Sequence, residues 1–322
     1  MKLIESLNTF LPEINIITPK NEVDYFGFSY YLSNKLQLNY NYSFSSWVHG
    51  WIFNDLKYIE QFNTSQYSPH NKIVANDLQK DFLENYGFDN IITAGYPYIY
   101  IKDNPKIKRY KNSLLIIPPK DSHNVNHIWN EESFIDYICQ FKKDFENIYF
   151  CIHQECFRKK KWLANLDKNN IKFVVGANTF DSNSLLRTKY IFQHFEYVHA
   201  PTIGSAIAYA AIDGCKVSLS ENYLEYKMDG YKKHPLYNIK KEYLEYETYT
   251  KSKKYIKSKY DFLFREPINS IESKEWAKTQ LGMNYIKTFE EISNLLGWHF
   301  KHKIKYYPMK YFNSIKNKII KN

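Results

Sequence analysis

The stretch Phe195-Glu-Tyr-Val-His-Ala-Pro-Thr-Ile-Gly-Ser-Ala-Ile-Ala-Tyr-Ala-Ala-Ile-Asp-Gly-Cys-Lys-Val-Ser-Leu-Ser-Glu221 reads as strand, tight turn, helix, strand. Tyr197 and Val198 end a short buried strand, which Pro201 and Thr202 break. Thr202 is the expected N-cap of the helix that follows. Ile203, Ala206, Ile207, Ala210 and Ala211 then recur at helical spacing on one apolar face, and the small residues among them allow close approach to a sheet. Gly214 stands where a C′ glycine stops a helix, and Cys215-Lys-Val-Ser-Leu219 resumes an extended pattern. Backbone N–H groups around Thr202, Gly204 and Ser205 are expected to be unpaired at the positive end of the helix dipole. That is an anion site, with phosphate its usual occupant.

Upstream, the same alternation repeats. Strands are expected at Ser113–Ile117, Ile148–His153 and Lys172–Val175, and helices at Glu131–Phe145, Glu155–Asp167 and Ser182–Phe195. Short strands separated by helices of this length imply a parallel, doubly wound sheet. The first third is more irregular. Strands at Ile14–Thr18, Phe44–Phe53, Lys72–Asn76 and Asn90–Ala94, with a helix at Asp77–Tyr86, imply a second α/β layer. Polar Asp103–Asn112 reads as a linker. The Tyr- and Lys-dense segment Tyr223–Lys259 lacks periodicity and reads as a solvated helical excursion or a flap. Helices follow at Ser273–Leu281 and Phe289–Leu296. The expected division is 1–105, 106–265, a helical segment 266–298 and a tail 299–322.

Composition narrows the classes. The chain has 322 residues, 18% of them aromatic, including 30 Tyr and 22 Phe, so core formation does not depend on disulfides. Cys139, Cys151, Cys156 and Cys215 show no metal-knuckle spacing and read as reduced thiols. His123 and His127 are four apart, but in a loop-like context, so no metal site is expected. No apolar run approaches the ~20 residues that span a bilayer, and the start lacks a signal-peptide pattern. The expected location is therefore the cytoplasm. A net charge of +10 favours anionic partners. The tail His299–Asn322 carries seven Lys, interleaved with aromatic and Ile residues, and no acid. That pattern suits an anionic membrane surface; it also suits nucleic acid, which is not the expected partner.

In an open α/β sheet, ligands bind beyond the carboxyl ends of the strands. Three such ends carry polar groups: the loop with Lys120, Ser122 and His123; His153; and the turn Thr202, Gly204, Ser205. Glu221, past the last strand, is placed to accept from ribose hydroxyls. Each also has an ordinary reading as a loop residue, and His153 as a satisfied core imidazole. In the first third, His49 beside Gly50 is a candidate general base for a hydroxyl, with Trp47 and Trp51 as stacking surfaces for a sugar. Asp24 and Glu22 are alternative carboxylates, and an aromatic core edge is the plainer reading.

Several blocks resemble the GT-B-fold glycosyltransferases, and among them bacterial capsule and lipopolysaccharide biosynthesis proteins. They are Ala200–Glu221, Ser46-Trp-Val-His-Gly-Trp51, Gly95-Tyr-Pro-Tyr-Ile-Tyr100, Leu115-Ile-Ile-Pro-Pro-Lys-Asp-Ser-His123, Glu275-Trp-Ala-Lys-Thr-Gln-Leu-Gly282 and Leu295-Leu-Gly-Trp298. The resemblance implies two facing Rossmann-like domains with C-terminal helices crossing back to the first. It implies a nucleotide-sugar donor, with no further cofactor and no metal, and a glycan or lipid-linked glycan acceptor. By position, Lys120, Ser122 and His123 match the first donor loop, Thr202, Gly204 and Ser205 the phosphate turn, and Glu221 the ribose carboxylate, with His49 on the acceptor side. This chain inserts Lys120-Asp121-Ser122 where related sequences pass directly to His. A nucleotide-sugar epimerase or hydrolase on the same scaffold is the alternative enzyme. A non-catalytic protein that binds membrane or nucleic acid through the basic tail is the alternative outside enzymes.

Overall fold

The computed structural model describes residues 2–62, 70–121, 124–176, 178–299 and 304. Ser122 and His123 lie outside the described residues, as does the tail from 299 onward except for His299 and Ile304. The chain forms two α/β units. One comprises Met1–Pro12, Asp103–Asn178 and Arg187–Ala277; the other comprises Glu13–Lys102, Thr179–Leu186 and Lys278–Asn322.

The strands, in chain order, are β1 (Ser46–Trp47), β2 (Lys72–Val74), β3 (Ile91–Thr93), β4 (Tyr110–Ile116), β5 (Asn147–Ile152), β6 (Lys172–Val175), β7 (Phe195–Ala200), β8 (Lys216–Leu219) and β9 (Ile271–Glu272). Strands β4 to β9 build one sheet in the order β6-β5-β4-β7-β8-β9, parallel except for the β8–β9 edge. From β4 the chain winds outward through β5 and β6, then returns to the other side of β4 as β7. The loops after β4 and β7 therefore diverge, and the sheet has a switch point between them. Ser113 to Ile116 are all buried, as expected for a central parallel strand covered on both faces. Leu114, Ile116, Phe134, Ile138, Phe150 and Trp162 anchor the core on one side of the sheet.

Two helices of this unit differ from the periodicity. The expected helix Glu155–Asp167 is split into Gln154–Arg158 and Leu163–Lys168. Lys160 and Trp162 take left-handed backbone between them, at φ 56° and 70°. Trp162 is fully buried against Phe134 and Phe150, and its backbone N–H donates to Glu131 Oε2 at 2.7 Å. Burial of that indole outweighs the local helical preference. The helix from Glu131 ends at Cys139, yet Phe141 and Phe145 still reach the core from the turns beyond it. Helix Leu3–Phe10, missed in the sequence, buries Leu3 and Leu7, and Ser6 Oγ meets His194 Nε2 at 3.0 Å. Segment Tyr223–Lys259 is folded, with helices Lys241–Thr250 and Lys253–Tyr260 burying Tyr243, Leu244, Tyr255, Ile256 and Tyr260. Within the linker, Arg109 donates to the carbonyls of Asp213 and Gly214, where a cation favours a helix C-terminus.

The other unit holds the parallel sheet β1-β2-β3. Ile14–Thr18 is not a strand: only Ile16 bridges, to Asp181. Phe44–Phe53 is extended as a strand only at β1. The C-terminal segment is part of this unit. Helix Phe289–Leu295 opens with a Thr288/Glu291 capping box; Leu296 O accepts from Phe44 N, and Trp298 Nε1 donates to Ser43 Oγ at 3.0 Å. Gly282 lies at φ 73°, and a Cβ there would sit 2.2 Å from Ala75 O and 2.8 Å from Gly95 Cα. Two glycines thus let the returning chain lie directly on the sheet edge. Among the described residues no helix is long and apolar enough to cross a membrane.

Candidate functional site

The site is built on the loops that diverge at the switch point. Helix Ser205–Ile212 buries Ala208, Ala210 and Ala211, whose small side chains bring it close to the sheet. Its N-cap is Gly204, two residues later than the sequence indicated. Gly204 is fully extended, and a Cβ placed there would meet nothing within 4 Å. The N–H groups of Gly204 and Ala206 have no acceptor among the described residues. Thr202 is instead buried, bonded to the Tyr226 phenol. The Ile203 N–H donates to Tyr223 Oη at 3.0 Å. Two tyrosines thus brace the turn from the segment whose pattern was illegible in the sequence.

The loop after β4 is clamped from beneath. Asp121 is completely buried; its Oδ2 lies 2.5 Å from Lys161 Nζ and 3.6 Å from Lys159 Nζ, and its Oδ1 accepts from the His127 N–H. The His127 ring sits among Trp129, Tyr226 and Tyr231, and Gly230 leaves the room it occupies. Desolvation lowers the His127 pKa to about 4, the Asp121 charge only partly opposing it. Beside this clamp, on the loop after β4, stands Lys120. Desolvation first, then the Lys251 charge, lowers its ammonium below the usual range. Lys251 is held by Glu247, lies 4.8 Å from the Tyr226 ring centroid, and bonds Tyr231 Oη at 3.3 Å. Burial opposes its charge, but Glu247 and the two tyrosines raise its pKa well above the ordinary value. Neither the Asp121 clamp nor the Lys251 cage was found in the sequence. Their partners lie up to scores of residues apart, and only the fold joins them.

His153 caps the helix that begins at Gln154. Its Nδ1 accepts the Glu155 N–H at 3.2 Å. Lys120, His153, Lys159 and Lys251 influence one another's charges, directly or through a common neighbour. The cations, the helix start and Gly204 make a setting for a phosphorylated ligand. Among the described residues no group of three or more His, Cys, Asp or Glu is arranged to hold a metal.

Other expected site residues are placed differently. Glu221, the expected ribose acceptor, is half-exposed and paired: Lys253 and Lys257 meet its carboxylate at 2.8 and 2.7 Å, holding its pKa below the ordinary value. In the other unit Trp47 is 1% exposed, donates to Gly95 O at 2.8 Å, and packs on Phe28 and Tyr100. Trp51 is 4% exposed, against Phe53. Both indoles are core, with no face left for a sugar. His49 is partly exposed, its ring 5.1 Å from Phe26 and 5.8 Å from Tyr25. Phe26 is left-handed at φ 59°, a backbone cost that an L-residue bears only where its surroundings enforce it. Asp24 is fully buried and accepts from Lys20 N, Ser29 Oγ, Asn21 Nδ2 and Tyr40 Oη, so it is a structural carboxylate.

No protein-family model and no curated protein sequence matches this chain. Among solved structures, the crystal structure of TarM aligns with 78% of this chain at 14% identity and a TM-score of 0.33. The chain spans about half of TarM's length. Fold and site rest on the geometry above.

Proposed function

We propose that the protein is a glycosyltransferase. It takes a sugar from a nucleotide-sugar donor and passes it to a growing surface glycan of a bacterium, of the capsule or lipopolysaccharide class. The observation that carries this reading is the open helix start at Gly204, placed at the switch point beside Lys120. Negative charge develops on a departing phosphate, and helix-terminal amides with a nearby ammonium stabilise it where it forms. In this reading the protein's own cations take the part a metal plays elsewhere. His49 is the acceptor-side base, and the basic tail holds the enzyme to the inner face of the membrane.

The epimerase or hydrolase alternative needs a free carboxylate, and its candidates are engaged. Glu155 pairs with Arg158 at 3.0 Å, Glu221 with two lysines, and Asp24 with four donors.

The test is thermal shift against UDP-, GDP-, CMP- and dTDP-sugars, repeated with Gly204→Trp. Because Gly204 is extended and faces open space, the variant is expected to fold with unchanged melting temperature while losing the shift given by one donor class. No response of the intact protein to any nucleotide would sink the proposal.

A further inference from the structure

The helix Asp77–Asn85 turns Gln79 and Leu83 into the core of its unit. Leu78, Phe82 and the C-cap Tyr86 recur every four residues and form an apolar stripe beside that buried side. Leu78 is 75% exposed and Tyr86 52%. The stripe is firmly based, because the Phe82 ring stacks on buried Phe62 at 5.5 Å and lies 4.8 Å from the Tyr86 ring. Its outer margin is acidic: Asp81 and Glu84 are exposed there, and Asp89 stands exposed just past the helix end. Lys80 meets Glu84 at 3.8 Å, and among the described residues no ion pair engages Asp81 or Asp89. Adjoining exposed apolar residues rimmed by polar ones mark an interaction surface. Carboxylates at the rim select an occupant in which lysine and apolar residues interleave.

This chain carries such a segment. Residues 299–322 hold seven Lys and no acid, with Tyr311, Phe312, Ile315, Ile319 and Ile320 among them. The tail also leaves its unit close to the stripe. Trp298 is pinned to Ser43, and a Cβ on Gly297 would meet Phe44 and His70. His70 lies just before β2, and the helix runs back to that end of the sheet to deliver β3, parallel to β2. There Lys72 N donates to Asn90 O at 3.0 Å, and Lys72 Nζ lies 5.2 Å from the Phe88 ring centroid. Tyr86 and the start of the tail therefore share one end of the sheet. The helix is about 14 Å long, which about five extended residues cover, so the tail has ample length.

We propose that the basic tail docks on the Leu78–Phe82–Tyr86 stripe of its own chain, its lysines facing Asp81, Glu84 and Asp89. An anionic membrane offers the same segment the same attractions, charge and an apolar bed, so the two partners compete for it. The stripe thereby stows the membrane anchor when no membrane is at hand. This goes beyond the transferase reading and does not depend on it.

Zero-length carbodiimide cross-linking of the full chain, read by mass spectrometry, tests it in wild type and in Leu78→Asn/Tyr86→Asn. Both substituted side chains are exposed and every carboxylate is kept, so the variant is expected to fold with an unchanged melting temperature. The expected result is links within one chain from tail lysines to Asp81, Glu84 or Asp89, at least about threefold fewer in the variant. Phe312→Ser/Ile315→Ser, in the tail itself, lowers the links equally without altering the helix. Vesicles of phosphatidylcholine and phosphatidylserine remove the links from wild type, and Leu78→Asn/Tyr86→Asn sediments with them about threefold more. No tail link to residues 77–89, links that survive in both variants, or links that form only between chains in a mixture of light and isotope-labelled protein overturn the assignment. Vesicle binding equal in wild type and Leu78→Asn/Tyr86→Asn overturns it as well.

Discussion

At the scale of single residues, two glycines show how differently one residue type serves this chain. Gly282 is left-handed and pressed against Ala75 O and Gly95 Cα, so both its backbone angle and the absence of a Cβ are required. Gly282→Ala is expected to lose at least about 1–3 kcal/mol in urea unfolding, through strain and overpacking together. Gly204 has neither constraint, and Gly204→Ala is expected within about 0.5 kcal/mol of wild type in the same measurement. If both variants were equally destabilised, the open space at Gly204 would not be open. The sequence marked both positions as glycines and could not tell them apart. A left-handed angle or a nearby carbonyl belongs to the partner segment, and the partner is far away in the chain.

At the scale of elements, local chemistry sets several helix starts. Asn76 caps the helix Asp77–Asn85, and the Thr288/Glu291 box opens the last helix. Thr288→Ala is expected to cost about 1 kcal/mol, read as a shift in the urea midpoint with an unchanged slope. Thr202 misled because its hydroxyl bonds Tyr226, which leaves Gly204 as the cap. The Tyr223–Lys259 segment misled for a related reason. Its helices bury tyrosines, residues that a hydropathy pattern counts as half polar. Residue types adjacent in sequence fixed the periodic helices; contacts between distant segments fixed the rest.

At the scale of the whole molecule, the buried histidines make stability depend on pH. His127 and His199 are neutral in the fold, with pKa values lowered to about 4 and about 3, in each case chiefly by desolvation. In the unfolded chain each titrates near 6.5. Below about pH 6.5 the unfolded state therefore binds protons that the folded state refuses, and stability falls as pH falls. Each histidine contributes a slope of up to about 1.4 kcal/mol per pH unit, flattening near its folded value. Urea midpoints between about pH 7.5 and 5 should decline accordingly. His199→Gln, although less stable at neutral pH, should decline by about one proton's worth less. A pH-independent midpoint would show that these rings are not held neutral. His199 Nδ1 lies 2.8 Å from Ser218 Oγ, which continues to Ser270 Oγ at 2.6 Å and from there to Pro267 O. That relay joins β7, β8 and the turn before β9, so the variant also probes the sheet edge.

The sequence by itself determined the α/β class, the run of parallel strands, the helix that starts near Gly204 and the presence of basic groups in the neighbouring loops. These follow from alternation of apolar residues and from turn chemistry, which act over a few residues. The tertiary structure decided which charges are available. It caged Lys251 with Glu247, used Asp121 as a clamp, paired Glu221 with two lysines, and buried Trp47 and Trp51. The reason is physical: a side chain's availability is set by desolvation and by partners from other segments, and neither is written at the residue itself.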